Sequence, residues 1–540
     1  MGGNPRASGH TVRLHETYEQ LGGKSMQDWD IRCDVVVVGS GGGALTGAYT
    51  AAANGLDTVV LEKTAVFGGT SSYSGASLWL PGSAVQERAG LDDSTDMART
   101  YLRALLGDAE ADRQEAYVTT APAVVEFLER DPHLEFEYQP FPDYFDAPGR
   151  MDAGRSIIPV DLPSVAAGEV RKLVRPAPIV DRAGQPHPDE TLIAGRALIG
   201  RLLLALQGTG RADLRTRTAV TRLLTENDRV VGVEATDADG RTLRVRAERG
   251  VLLAAGGIEG SDEMRAAHGT PGKAQWSMGP AGANTGDMIR AAVELGADTA
   301  LLDQAWFCPG VELPDGSGAF MVCVRGGILV DASGNRYLNE SLPYDRFGRA
   351  MIARGESALP SYLIFDSSEG GPVLPAMSIP EASAGDHFAA GTWVSADTIE
   401  ELADKIGVDA ATLGATVERF NGFAEGGVDE DFARGEDPYD TFFCPPRELP
   451  NVALPPIATG PFHAARIVLS DLGTKGGVRT DADARVLTAD GNPIEGLYAA
   501  GNTSASVSGS IYPGPGVPLG TAMTFSYRAV HHMIGTDQDR

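Results

Sequence analysis

Between Cys33 and Glu62 the chain places residues suited to holding a dinucleotide: Gly39-Ser40-Gly41-Gly42-Gly43-Ala44 and, eighteen residues past Ala44, the acid Glu62. Gly39 permits a tight strand-to-helix turn, Gly41 lets a pyrophosphate approach the backbone, and Ala44 in the third glycine slot keeps helix and strand close. A helix starting there offers free N–H groups and a positive dipole end to phosphate oxygens. Glu62 is placed to accept hydrogen bonds from a ribose. With 67 glycines in 540 residues, an ordinary glycine-rich turn is the plain alternative. The order strand, glycines, helix, strand, acid speaks against it. At this point the cofactor is a dinucleotide, FAD or NAD.

Two further stretches carry the same kind of chemistry. Phe67 to Ala76 sets Gly68, Gly69 and Gly75 among small hydroxyls, including Thr70 and Ser71, before the apolar Leu78-Trp79-Leu80-Pro81. Small residues let a planar group lie against backbone, and hydroxyls satisfy phosphate or ring oxygens. Near the other end, Gly496 to Asn502 is a short apolar run ending in Gly501-Asn502, and Tyr512-Pro513-Gly514-Pro515-Gly516 leads into a helix. A glycine-rich loop at a helix N-terminus makes a site for an anion or an electron-rich ring. Its dipole suits the N1–C2=O region of a reduced flavin.

These groups need elements to hold them. The sequence predicts a buried strand over 33–38, a helix over 44–54 with Gly55 as C-cap and a strand over 57–61. Residues 93–131 are predicted mainly helical, and aromatic, proline-punctuated residues follow at 138–165, lining a cleft or plugging a surface groove. A β-meander is expected over 216–248, with Val220 in its first strand, leading to a buried strand that ends at Ala255-Gly256-Gly257. A helix to Gly296 is expected next, with Thr285 as N-cap and Asp287 in its first turn. Beyond about 304 prolines, aromatics and short elements dominate, with a helical pair at 396–404 and 409–425. A last helix is expected over 519–534. The expected division is a dinucleotide-binding domain in two segments, 1–303 and 473–540, around an inserted substrate-binding and catalytic domain at 304–472. The fold class is α/β, a Rossmann-like domain with an α+β insert.

Composition excludes several functions. A formal net charge of −28 argues against nucleic-acid partners and against anionic lipid surfaces. Cys33, Cys308, Cys323 and Cys444 are far apart, and the nine histidines form no cluster with them, so neither a disulfide framework nor a metal site is expected. The first thirty residues lack the apolar core of a signal peptide, and Arg6 stands where myristoylation needs Ser or Thr. No apolar run reaches the ~18 residues of a membrane span. A cytoplasmic protein without an integral membrane segment is expected.

Five ordered segments carry a family resemblance: VVVVGSGGGA at 35–44, EKTAVFGGTSSYSGASLWLP at 62–81, RYLNESLPY at 336–344, GLYAAGNTSASVSGS at 496–510 and YPGPGVPLGTAMTF at 512–525. The chain from 33 to 535 resembles the 3-ketosteroid Δ1-dehydrogenases, flavoproteins of the fumarate reductase/succinate dehydrogenase superfamily. The resemblance implies non-covalent FAD and trans-diaxial loss of two hydrogens from a 3-ketosteroid A ring, a hydride from C1 to flavin N5 and a proton from C2 to a tyrosinate. It makes Tyr344 the base and Tyr144 its neighbour and proton relay, with Tyr512 hydroxyl and Gly516 N–H holding the C3 carbonyl. Tyr138 competes with Tyr144, and Asn339 and Glu340 are expected to brace the Tyr344 loop. The electron acceptor is left unidentified. The cofactor contacts expected are Gly39, Gly41, Gly42, Gly43, Ala44, Glu62, Lys63, Gly69, Thr70, Ser71, Gly75, Ala76, Val220, Ala255, Gly256, Gly257, Asp287, Gly501, Asn502, Pro518 and Leu519.

The implied chemistry is consistent. A C2 proton is acidic only when the C3 carbonyl is polarised, and two donors on that oxygen stabilise the developing enolate. Tyrosine, with an ordinary pKa of ~10, needs help to serve as a base. Rivals remain: a 3-ketosteroid Δ4-(5α)-dehydrogenase, a fumarate-reductase-like enzyme using Arg325, Arg336, Arg346 or Arg349 as a carboxylate clamp, and a non-catalytic flavin-binding module.

Overall fold

The computed structural model describes residues 29–185, 188 and 190–535. The targeting signals considered above lie in the first 28 residues, outside that range.

The β-branched run of the first strand, Ile31–Val38, is buried because parallel neighbours flank it on both sides: Thr58–Leu61 and Thr242–Leu253. Ala212–Arg215 continues the sheet beyond Thr58–Leu61, and Pro493–Ala499 continues it beyond Thr242–Leu253. Strands at both ends of the described chain thus build one eight-stranded sheet. The meander is present as Ala219–Glu226 and Arg229–Thr236, paired antiparallel onto Thr242–Leu253. Its third strand and the following buried strand, predicted as two, are one twelve-residue strand. The outer half hydrogen-bonds to the meander and the inner half supports the glycine pair.

Helix Gly42–Ala53 ends on Asn54, with Gly55 at φ +84° immediately after it, one residue from the expected cap. This helix packs against Val517–Ile534, and a Cβ at Gly43 would lie 2.9 Å from Ala522 Cβ. A Cβ at Gly47 would stand 2.5 Å from Leu252 Cδ2, so helix and strand also lie close together there.

A second, seven-stranded antiparallel sheet is made wholly from strands between Ala305 and Thr474, centred on the thirteen-residue strand Phe462–Thr474. The helical pair forms as Ile399–Ile406 and Ala410–Gly426. Where the chain passes between the sheets, Thr299–Ala300 pairs with Gly477–Val478. No described helix is long and apolar enough to cross a membrane.

Candidate active site

A cavity of about 460 Å³ runs from the dinucleotide loop to the tyrosines. Apart from Gly257 and Tyr144, every residue expected in the site lines it.

At one end, helix Gly42–Ala53 starts on Gly41, which has no side chain to cap it, and apart from the Gly42 N–H, which Ser71 takes, its first-turn N–H groups lie at the cavity wall. Gly39 adopts φ +103°, and a Cβ there would lie 2.2 Å from Ala254 O, a position only glycine fills. Ser40 Oγ donates to Glu62 Oε2 (2.5 Å) and accepts from Gly68 N, while Thr64 N donates to Glu62 Oε1 (2.7 Å). The acid is therefore fixed at the cavity wall before any ligand binds. Ser71 Oγ accepts from Gly42 N, fastening the second glycine-rich loop to the first.

Lys63 Nζ spans Thr285 Oγ1 (2.8 Å) and Asp287 Oδ2 (2.9 Å). Burial pushes the Asp287 carboxyl up, but Lys63 and its other partners more than offset this and hold it below the ordinary value. Thr285 is not the N-cap of helix Asp287–Val293; Gly286, at φ +76°, takes that position. The threonine side chain is occupied with Lys63 instead. Gly257 faces away from the cavity. A Cβ there would fall 1.9 Å from Thr474 Oγ1, so this glycine serves packing.

At the other end three distant segments meet. Tyr344 is the first residue of helix Tyr344–Arg354, at its positive dipole end. Its Oη lies 3.2 Å from Tyr512 Oη, which also accepts from Gly516 N at 3.4 Å. Gly516 sits at φ +89° as the cap of Val517–Ile534, and a Cβ would meet Ser77 backbone at 2.4 Å. Glycine is required there by the protein's own backbone as well as by any ligand.

Tyr144 stands behind the wall, fully buried, edge-on to Tyr344 (5.4 Å between ring centroids), Tyr512 (5.3 Å) and Tyr439 (5.5 Å). Tyr138 turns away and donates to Ala153 O. Burial pushes the phenols of Tyr344 and Tyr512 above their ordinary value, and at Tyr344 the Tyr144 and Tyr512 hydroxyls pull back down. Asn339 and Glu340 do brace the Tyr344 loop. Asn339 Nδ2 donates to Asp440 Oδ2, and Glu340 bonds Leu329 N and the guanidinium groups of Arg336 and Arg434.

Sequence reasoning missed several wall residues: Asn284, Arg175, Phe320, Phe443, Met377 and Ile379. Asn284 donates to Thr70 Oγ1 and Glu259 Oε1, holding the loop over the cavity. The flanking Asn284-Thr285-Gly286 was legible as a turn, but its side-chain partners come from other segments. None of Arg325, Arg336, Arg346 and Arg349 lines the cavity. Arg336 pairs with Glu340 and Asp429, Arg349 pairs with Asp345, and Arg346 donates to Tyr144 O. The carboxylate-clamp alternative therefore lacks its cations at this site.

The wall suits FAD. It supplies an uncapped helix start and a fixed acid at one end, and a second uncapped helix start, Gly516-Val517-Pro518-Leu519, with no acid in its first turn, at the other. No histidine or cysteine lines the cavity among the described residues. Fold and site together define a flavin-dependent oxidoreductase. The sequence pattern of the family described as "FAD binding domain" matches residues 34–519. The chain is 50% identical to 3-oxosteroid 1-dehydrogenase of Rhodococcus opacus, over 94% of this chain and 100% of that one. It is 38% identical to 3-oxosteroid 1-dehydrogenase of Mycobacterium tuberculosis, over 93% and 98%. Among solved structures, the 3-ketosteroid delta1-dehydrogenase of Sterolibacterium denitrificans, in complex with 1,4-androstadiene-3,17-dione, superimposes with a TM-score of 0.84 at 35% identity, covering 93% of this chain and 99% of that one. The chain belongs to the FAD-binding-domain flavoproteins, in the family of the 3-oxosteroid 1-dehydrogenases.

Proposed function

We propose that the protein carries out FAD-dependent 1,2-dehydrogenation of 3-ketosteroids, with Tyr344 taking the C2 proton and Tyr512 and Gly516 polarising the C3 carbonyl. One observation carries this reading: Tyr344 Oη, Tyr512 Oη and Gly516 N–H converge within hydrogen-bond reach at the end of the cavity opposite Glu62. When bound, the flavin supplies the hydride acceptor. Gly39 to Ala44, Glu62, Lys63, Gly69 to Ser71, Gly75, Ala76, Val220, Ala255, Gly256, Asp287, Gly501, Asn502, Pro518 and Leu519 would hold it.

The chain's own groups divide the proton work. Tyr512 and Gly516 present two donors to one oxygen, which lowers the cost of enolate formation at the neighbouring carbon. Tyr344 accepts the proton there. Burial holds its phenol above the ordinary value, and its place at a helix N-terminus works in the opposite sense, toward the phenolate that the reaction needs. Tyr144, edge-on behind Tyr344, is the neighbour placed to take the proton from it. Phe320, edge-on to Tyr344 at 4.9 Å, and Val322, Met377, Ile379 and Phe443 give this end an apolar wall suited to a sterol skeleton. The charged lining groups Glu62, Lys63, Arg175 and Asp287 are tied together at the other end by Thr64 and Thr285.

The test is steady-state turnover of 4-androstene-3,17-dione with a dye acceptor. The wild type should form the 1,4-diene. Tyr344→Phe should lose about 10²–10⁴-fold in kcat while keeping its flavin. No 1,4-diene from the wild type would sink the function, and near-normal turnover by the variant would remove Tyr344 from the base role.

Two coarser readings accompany this. The segments 1–303 and 473–540 act as one domain around 304–472, a reading supported by the separate strand membership of the two sheets; hydrogen exchange showing a single protection unit across both would refute it. The setting is cytoplasmic, in keeping with four cysteines that are all free. Fractionation of a tagged protein checks that.

A further inference from the structure

We propose that Lys475 is a positioning residue for the carbonyl clamp, acting through Trp306 and the Ile511 carbonyl to aim the Tyr512 hydroxyl. The inference rests on the clamp role of Tyr512 given above. Lys475 follows strand Phe462–Thr474 and is completely buried. Among the described residues no carboxylate lies within ion-pair distance of it, and its Nζ donates instead to Ile511 O (2.5 Å), the residue before Tyr512. The same ammonium lies 4.1 Å from the centroid of the Trp306 ring, a cation–π contact in a desolvated place. Trp306 meets Tyr512 edge-on at 4.9 Å between centroids and donates Nε1–H to Asn502 Oδ1 (3.0 Å) in the cavity wall.

The backbone of Lys475 joins the same arrangement. Its N–H donates to Gln304 O, and its carbonyl accepts from Ser506 N. The Tyr512 loop is therefore fastened at Ser506 and at Ile511 by one residue, and the Tyr512 ring is held on one side by an indole that the same residue's ammonium covers. Burial, opposed by Asp345 and aided by Arg349, pulls the pKa of the ammonium down to about 7. Keeping such a group buried costs stability, and apolar replacements of buried charge are often neutral or stabilising. Packing alone would be met by methionine. What methionine lacks is the donor to Ile511 O and the charge over Trp306. Sub-ångström drift of a donor suffices to harm catalysis, because an error of ~1 Å costs about 10²-fold.

The experiment compares flavin-loaded wild type, Lys475→Met, Trp306→Leu, the double variant and Tyr512→Phe on 4-androstene-3,17-dione with a dye acceptor, together with flavin content and thermal midpoint. Lys475→Met should lose roughly 10–100-fold in kcat and in kcat/KM together, with KM little changed, since the lost interaction is made in the transition state. Flavin content and thermal midpoint should stay at wild-type level. Because both residues act on Tyr512 as one unit, the double variant should be no worse than the poorer single one. Wild-type kcat in Lys475→Met, a loss matched by lost flavin, or losses that multiply in the double variant would each overturn the proposal. If Lys475→Met does not fold, normal turnover by Trp306→Leu overturns it equally. Normal turnover by Tyr512→Phe would instead remove the clamp reading, whereas a crippled Tyr512→Phe beside a normal Lys475→Met removes only the role of Lys475.

Discussion

The two ends of the cavity are built by different means. The dinucleotide end is local: Gly39 to Ala44 and Glu62 lie within 24 residues, and main-chain geometry does most of the work. Its glycines are dictated by positive φ and by contacts such as Gly39 against Ala254 O and Gly43 against Ala522. The tyrosine end is assembled from residues near 144, 344 and 512, and side-chain hydroxyls do the work. The difference teaches that a cofactor cradle can be set by a short motif, whereas a proton-transfer site depends on how distant segments pack. Damage to the first end should change how much flavin is held, and damage to the second how fast the loaded protein turns over.

The sharpest way to break that division is at Tyr512. Tyr512→Phe should lower kcat by about 10²–10³-fold, the cost of one donor at a developing oxyanion. Its flavin content should equal that of wild type, and an absorbance spectrum with reduced flavin stoichiometry would show that the two ends are not separable. The reciprocal change is Gly39→Ala. Its Cβ would collide with Ala254 O at a φ of +103°, so flavin retention after gel filtration should fall sharply. The fraction that stays loaded should turn over at wild-type kcat, and a slowed loaded fraction would contradict the comparison.

The smallest effect on turnover is expected at Glu340, which supports the Tyr344 loop without touching the cavity. Burial pushes its carboxyl up, but Arg336 and Arg434 more than offset this, so its value in the fold lies below the ordinary 4.5. A carboxyl depressed by folding stabilises fully above its unfolded value, and that stability is lost as pH falls through the folded value. Wild-type stability should therefore decline below about pH 4.5 in part through this group. Glu340→Gln leaves buried guanidinium groups short of a partner and should cost about 3–5 kcal/mol in denaturant unfolding at pH 7. Loaded protein that remains folded should keep near-normal kcat.

Much of the α/β framework was legible because it is local. The run Cys33 to Val38 alternates with nothing polar except Asp34, and the helix and strand after it follow from glycine and alanine placement. The meander was legible by period, yet the join of 242–246 to 250–253 into one strand was not, because that continuity is set by parallel pairing with Ile31–Val38. Thr285 has the right type for an N-cap, but Lys63, 222 residues earlier, takes its hydroxyl. Gly257 reads like its neighbour Gly256, and only the approach of Thr474 separates packing from cavity wall.

By itself the sequence determined the cradle and the α/β class and, through segment resemblance, singled out Tyr344, Tyr512 and Gly516, which the fold brings within hydrogen-bond reach. Backbone conformation and short-range order are encoded within a few residues, which is why motifs show them. Only the tertiary structure decided that Tyr144 rather than Tyr138 joins Tyr344 and Tyr512, that Arg336 and Arg349 are spent on carboxylates and Arg346 on a backbone carbonyl, and that Lys475 and Trp306 pack behind the Tyr512 loop. The meeting of Tyr144, Tyr344 and Tyr512, and of Trp306 with Tyr512, joins side chains more than a hundred residues apart in the chain. Burial, pairing and aim are properties of that meeting, and no residue carries them alone.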